Sequence, residues 1–204
     1  MSFITSCLPC FRSCLDCVQG PSFMGSASYS NFTTPIVPTV RLDVGHMGKD
    51  VVLLKEGERI CGTGAALATV PIVQNKAYFQ VTLQQSGTWG IGLGNKNTNL
   101  DTIPAVQNFW GIRENGDVVA NGDVIGKLNK ALDEGDCIGV SYDHIELKFF
   151  VNGEEAEPAI TNVKSPVYPT IYVDDSAIMD VKFKNFSYDA PPGFDEILVE
   201  QTLL

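Results

Sequence analysis

Positive charge is scarce in this sequence. Its 204 residues include 14 Lys and Arg against 24 Asp and Glu, which gives a formal net charge of −10. Proteins that bind nucleic acid neutralise its phosphates with clustered Lys and Arg, so this balance argues against a nucleic-acid partner. It favours either a partner with a basic surface or simple solubility.

Histidine is scarcer still, which limits the catalytic chemistry that the chain can carry out. His46 and His144 are the only two histidines, and no Gly-x-Ser-x-Gly nucleophile elbow occurs. His144 lies beside Asp143 at a predicted turn, where a solvated ring needs no catalytic role. Two adjacent carboxylates, Asp174 and Asp175, make a poor Ca²⁺ or Mg²⁺ site by themselves. We therefore predict a non-enzyme without cofactor or metal, and keep a small hydrolase or metal-dependent enzyme as the alternative class.

Long apolar segments and export signals are also lacking. The uncharged N-terminal stretch ends at Phe11, too short for a membrane-spanning helix, and it has no basic start or small-residue cleavage site. Ser2 excludes N-myristoylation, which needs glycine at that position. Only Cys61 and Cys137 of the six cysteines lie in the body of the chain, which does not match a disulfide framework. We expect a reducing, cytoplasmic location.

Four cysteines crowd into an N-terminal tail, residues 1–20. They are Cys7, Cys10, Cys14 and Cys17, and a helical segment with these spacings would carry all four sulfurs on one face. Several acyl chains on such an apolar tail would hold a soluble domain at the cytosolic face of a membrane, so we predict S-acylation. The alternatives are an unmodified tail and a metal-binding tail, although the two Cys-x-x-Cys pairs are too close for the usual zinc-ribbon loop. Residues 21–38, rich in Ser, Pro, Gly and Thr, are predicted to be a flexible linker.

The stretch 134–154 predicts two strands joined and followed by turns. By side-chain alternation, the inward residues are Ile138, Val140, Tyr142, Ile145, Leu147, Phe149 and Val151. Asn152-Gly153 predicts a type I′ turn, because both residues tolerate the positive φ that this turn requires. Phe150 lies on the outer face, where it must be covered by another element or stay partly exposed.

The rest of the chain, from residue 39 to 204, is predicted to be one β-rich domain. Further strands are expected at 51–55, 58–61, 77–84, 89–93, 109–111, 158–160, 167–173 and 178–186. In the predicted strand 77–84, Gln80 alternates with apolar residues and should face water. The sequence after Pro192 predicts a short acidic helix, 194–204, that docks Phe194, Ile197 and Leu198 on the sheet.

Several short motifs along the chain carry a family resemblance. They are Tyr78-Phe79-Gln80-Val81, Trp89-Gly90-Ile91-Gly92, Gly135-Asp136, Ile138-Gly139, Asp143, Leu147, Phe149, Asn152-Gly153 and Val167-Tyr168-Pro169. Together they resemble the core signature of the SPRY (B30.2-like) domain family, and the resemblance covers about residues 41–194. The resemblance implies an all-β sandwich of two antiparallel sheets that is used for protein recognition.

In that family, loops at one end of the sandwich form a shallow partner site. The matching positions here are Pro71, Gln74, Asn75, Val119, Asn121, Asp174 and Asp175. Members that bind Asn-rich acidic peptides carry Tyr and Trp anchors where this chain has Val119 and the two aspartates. Their peptide preference is therefore not transferred. We expect either a partner with Lys or Arg at this contact, or an ordinary polar loop with the partner bound elsewhere.

Taken together, these features predict a non-enzymatic adaptor. It would be a monomer that binds a protein or peptide ligand through its loops and associates peripherally with a membrane through the acylated tail. The alternative is a soluble cytosolic binding subunit whose tail is unmodified or binds a metal.

Overall fold

The computed structural model describes residues 38–105 and 107–199, and these residues form a sandwich of two β-sheets with almost no helix. This confirms the predicted all-β fold. The cysteine tail, nearly all of the predicted linker and the end of the predicted C-terminal helix lie outside the described residues.

The first sheet is antiparallel throughout. Strands are numbered β1 to β14 in chain order. In spatial order the first sheet consists of β1 (Leu42–Met47), the second half of β3 (Arg59–Ala68), β12 (Tyr168–Asp174), β5 (Thr88–Gly94), β6 (Phe109–Arg113), β7 (Asp117–Ala120) and β8 (Asp123–Lys127).

The second sheet is antiparallel except at one short strand. In spatial order it consists of β11 (Glu154–Thr161), β10 (Glu146–Val151), β9 (Cys137–Tyr142), β4 (Ala77–Gln85), β13 (Ile178–Lys182), the first half of β3 and β2 (Asp50–Leu54). The two-residue strand β14 (Asp195–Glu196) pairs with the start of β4 in parallel. A single 3₁₀ turn, Lys55–Gly57, joins β2 to β3.

Strand β3 belongs to both sheets. It pairs with β2 and β13 through its first half and with β1 and β12 through its second half. The chain bends between these halves at Gly62 and Gly64, whose φ angles are 90° and 133°. These values lie in the region that favours glycine, and a Cβ at position 62 would lie 2.3 Å from the Asp50 carbonyl oxygen.

The inward side chains of both sheets share one buried core. Of the residues predicted to point inward, Ile138, Val140, Leu147 and Phe149 have no exposed surface. The predicted Asn152-Gly153 turn is confirmed, with φ of 53° and 85°. The inward placement of Ile145 is wrong: its side chain is 71% exposed, because it lies in the turn before β10 begins and the alternation does not yet apply.

The outer face of β4 is covered by the chain that follows β13. Gln80 is only 1% exposed, so the expectation that it faces water is wrong. Its side chain accepts a hydrogen bond from the Ser187 backbone N–H and donates one to the Tyr188 carbonyl oxygen, both at 2.7 Å. Phe150 lies on the same outer surface and is 9% exposed. Of the two outcomes predicted for it, coverage by another element is therefore the one observed.

The predicted C-terminal helix is absent from residues 194–199, which instead contain β14 and an irregular segment. The start of β4 offers unpaired backbone groups at its edge, and extended chain can satisfy them whereas a helix cannot. Ile197 docks as predicted and is 4% exposed, whereas Leu198 is 57% exposed. Residues 200–204 lie outside the described part of the chain.

Candidate functional site

Two adjacent carboxylates are held at one corner of the sandwich. Asp174 ends β12 and Asp175 begins the short connection to β13. The Thr63 hydroxyl donates to Asp174 Oδ1 at 2.9 Å, and the Thr88 hydroxyl donates to Asp175 Oδ2 at 3.2 Å. Both carboxylates are therefore oriented by neighbouring strands, and the Asp175 side chain is exposed.

The corner exists because three chain segments pass from one sheet to the other there. They are the bend in β3, the Ser86-Gly87 link between β4 and β5, and residues 175–177 between β12 and β13. The last two segments touch, since a Cβ at Gly87 would lie 2.4 Å from the Asp175 carbonyl oxygen. Such crossings are short and well packed, so the loop that bears the carboxylates rests on a rigid support.

Two further carboxylates, Asp50 and Asp101, extend the site and were missed by the sequence analysis. Asp50 stands directly opposite Thr63 in the β2–β3 pair, so its side chain lies on the same face. Asp101 Oδ1 accepts the Lys49 backbone N–H at 2.9 Å. This hydrogen bond, followed by the charge of Lys49, lowers the pKa of Asp101.

We call Asp50, Asp101, Asp174 and Asp175 the acidic corner. Lys49 Nζ lies 3.5 Å from Asp101 Oδ2. No local signal in the sequence joins these residues, because 52 positions separate Lys49 from Asp101.

The predicted residues Pro71, Gln74 and Asn75 lie at the opposite end of β12 from the acidic corner. Their loop is fixed by the Ile72 N–H, which donates to the Val167 carbonyl oxygen at 2.9 Å, just before β12 begins. The seven residues of β12, Tyr168–Asp174, then run from that end to the acidic corner, a span of about 20 Å. The structure therefore does not bring the two predicted groups into one surface.

The side-chain amide of Gln74 forms hydrogen bonds to the backbone through both its nitrogen and its oxygen. Its Nε2 donates to the Lys76 and Glu196 carbonyl oxygens, each at 2.9 Å, and its Oε1 accepts the Leu198 N–H at 2.6 Å. This side chain fastens the C-terminal segment beside β4. Asn75 is exposed and Pro71 is half-buried.

Val119 and Asn121 lie on and just after β7. Val119 is 1% exposed and packs with Phe109 and Tyr172 in a second, smaller apolar cluster. Its side chain is therefore not available to a partner. Asn121 is exposed and accepts the Asn108 N–H at 2.8 Å, so it lies at the surface but far along the sheet from the acidic corner.

The side chains considered for catalysis are occupied by structural contacts. The His144 Nε2 lies 2.9 Å from the Gln74 carbonyl oxygen, and its ring packs on Tyr142. Burial raises the pKa of the Cys137 thiol, which disfavours the thiolate. Within residues 38–105 and 107–199, no three His, Cys, Asp or Glu side chains converge to hold a metal ion.

Two stacked antiparallel sheets that display oriented loop side chains define a β-sandwich scaffold for recognition. The chain belongs to the SPRY domain family, whose model matches residues 76–186. It is 40% identical to SPRY domain-containing protein 7 of Homo sapiens over 98% of each chain. It is 43% identical to the protein of the same name of Mus musculus, over 82% of this chain and 87% of that one.

Among solved structures, the SPRY domain of human HERC1 is similar in fold. Its TM-score is 0.60 at 15% identity, over 69% of this chain and 96% of that one. The family model and the identities of 40% and 43% confirm the family resemblance predicted from the sequence. SPRY domains are protein-interaction modules, which supports a role in binding a protein.

Proposed function

We propose that this protein is a non-enzymatic adaptor that captures a protein partner through the acidic corner and is held at the cytosolic face of a membrane by S-acylation of its N-terminal cysteines. The observation that carries the first part is the fixed pair Asp174 and Asp175, each oriented by a threonine hydroxyl from a neighbouring strand. Carboxylates that are already ordered lose little conformational entropy when a partner binds.

The charge of the corner selects the partner chemistry. Four carboxylates, of which Asp101 is already paired with Lys49, leave the corner negatively charged on a chain of net charge −10. Such a corner attracts a surface that presents Lys or Arg. Arg suits such a site because its guanidinium can bind carboxylates in a bidentate geometry. The partner is therefore a protein with a basic contact region, and binding should weaken as ionic strength rises.

Proximity labelling in cells with the full chain tests the partner site. The variant D174K/D175K should lose a defined set of proteins that the wild type labels. The matched control, D123K, changes an exposed carboxylate on β8, at the far edge of the first sheet. An unchanged set of labelled proteins in D174K/D175K would remove the acidic corner as the partner site.

The membrane part of the proposal depends on Cys7, Cys10, Cys14 and Cys17, which lie outside the described residues. Within the described part of the chain, no helix has the length and apolar character needed to cross a bilayer. Acyl-exchange labelling should detect thioesters in the wild type and none in the variant with all four cysteines changed to Ser. No signal in the wild type would favour the soluble alternative, and metal analysis of the purified chain would then separate an unmodified tail from a metal-binding one.

A further inference from the structure

A groove of about 400 Å³ lies on the outer face of the second sheet, away from the acidic corner. One side is formed by β10 and the other by residues 189–194 of the C-terminal segment. Strands β13, β4 and β9 separate β10 from β3, which carries Thr63. At about 4.8 Å per strand the two sites are almost 20 Å apart, so they are separate surfaces.

Two aromatic side chains form the apolar part of this groove together with Ala190, Pro191 and Pro192. Phe150, the residue that the sequence placed on an outer face, lies in its lining together with Phe194. Phe150 packs edge-on against Tyr78 at 6.2 Å, and Tyr78 in turn packs against Phe186 at 4.9 Å. These contacts hold the Phe150 ring in place at the groove and link it, through Tyr78, to Phe186 of the covering chain.

Carboxylates surround the aromatic floor. Those that line the groove belong to Asp143, Glu146, Glu155 and Asp189. Lys148, which also lines it, has its ammonium 3.0 Å from Glu155 and 3.4 Å from Glu146. The hydrogen bond to Glu155 is the main reason that the pKa of Lys148 is raised, so this lysine stays charged and its charge is already satisfied by the protein.

The lining therefore has an excess of negative charge beside the nearly buried ring of Phe150 and the half-buried ring of Phe194. This combination suits one kind of side chain. Arg carries a planar, weakly hydrated cation that stacks on aromatic rings and binds carboxylates, and its aliphatic stem packs on apolar surface. A Lys ammonium is more strongly hydrated and would gain less from the floor.

We infer that this groove binds an arginine side chain of an extended peptide segment in a protein partner, with the guanidinium among the carboxylates and the stem against Phe150 and Phe194. The site does not depend on the acidic corner, so the chain offers two contact surfaces. A partner that used both would bind with higher avidity than either surface gives alone.

The test uses isotope-labelled full-length chain and two synthetic peptides, acetyl-Gly-Leu-Arg-Leu-Gly-amide and the same peptide with citrulline in place of arginine. Citrulline keeps the shape of the side chain and removes its charge. The arginine peptide should shift the amide resonances of residues 141–155 and 189–194 in a saturable way, and the citrulline peptide should bind at least about tenfold more weakly. The variant D189K should weaken binding of the arginine peptide by a similar factor, whereas D123K should leave it unchanged.

Three results would overturn the inference. They are equal binding of the two peptides, shifts confined to the acidic corner around Thr63 and Asp174, and absence of a saturable shift at millimolar peptide. The peptide pair is compared on the wild-type chain, so this comparison stands even if D189K fails to fold. Loss of partner labelling in D174K/D175K with intact peptide binding would show that the two sites act separately.

Discussion

The ring of Tyr78 lies against the backbone of Gly139 on the neighbouring strand β9, so closely that a Cβ on Gly139 would lie 2.1 Å from the Tyr78 hydroxyl oxygen. The first sheet repeats this arrangement, with the ring of Tyr172 against Gly90 on β5 and a corresponding distance of 2.2 Å to the ring. Tyr78 is 1% exposed and Tyr172 fully buried. In each sheet the glycine makes room for a tyrosine that anchors the covering chain on the outer face.

Replacing Gly139 with Ala should destabilise the fold by about 2–3 kcal/mol, because the added methyl group overpacks a buried site. The measurement is the urea midpoint of the full chain. In the background Y78F, the nearest clashing atom is gone and the cost of G139A should fall by about 1 kcal/mol. Strictly additive effects of the two changes would show that the ring and the glycine do not interact in this way.

The hydrogen bonds of the Gln80 side chain should hold the segment after β13 against the outer face of β4. The change Q80L leaves the Ser187 N–H and the Tyr188 carbonyl oxygen without their partner, and we expect a loss of about 1–3 kcal/mol. Hydrogen exchange should accelerate at residues 186–194. The control Q84L alters an exposed glutamine on the same face of β4, and equal exchange in the two variants would contradict this role.

Asp180 should give the protein part of its stability at neutral pH. Arg59 donates to it through both Nε and Nη2, the latter at 2.8 Å, and Lys55 Nζ lies 3.0 Å away. The hydrogen bond from Arg59 is the main reason that the pKa of Asp180 is lowered from its ordinary value of 3.8. Since the folded-state pKa is depressed, the contribution is complete above the unfolded value of about 4 and is lost as pH falls through the folded value.

The variant D180N should therefore lose about 1–2 kcal/mol at pH 7. It should also show a shallower fall in stability below pH 4 than the wild type does. Urea unfolding at a series of pH values measures both effects, with D123N as the exposed control. Parallel pH profiles for D180N and the wild type would contradict the assignment.

The two cysteines of the described domain should differ in reactivity. Cys137 is 5% exposed and burial raises its pKa, whereas Cys61 is half-buried. In the variant with the four tail cysteines changed to Ser, maleimide should modify Cys61 in the folded state and Cys137 only after unfolding. Peptide mass mapping distinguishes the two, and similar labelling rates would be the contrary result.

The hairpin formed by β9 and β10 shows what can be predicted locally. Alternation of apolar residues identified its inward face, and Asn152-Gly153 identified the turn that follows it, between β10 and β11. Both signals depend on residues adjacent in the chain. The same logic failed at Ile145 and Gln80. One lies in a turn where alternation has not begun, and the other is covered by a segment 107 positions away.

The partner site shows more clearly how far the sequence alone can identify surface residues. Matching positions to a family pattern selected Asp174 and Asp175 but also Val119, which is buried, and Gln74, whose amide fastens the C-terminal segment. A motif fixes the order of residues along the chain. It does not fix which of their side chains reach the surface.

The sequence by itself predicted the family, the Asn152-Gly153 turn and most of the strands, because alternation and turn chemistry act between near neighbours. It did not predict β1, β7, β8 or β14. Only the tertiary structure decided that Asp50 and Asp101 join Asp174 and Asp175 at one corner, and that Phe150 lines a groove closed by the C-terminal segment. Those groupings depend on how two sheets close on a shared core and on where the last residues return over β4. Contacts of that range follow from the packing of the whole domain, and no short stretch of sequence encodes them.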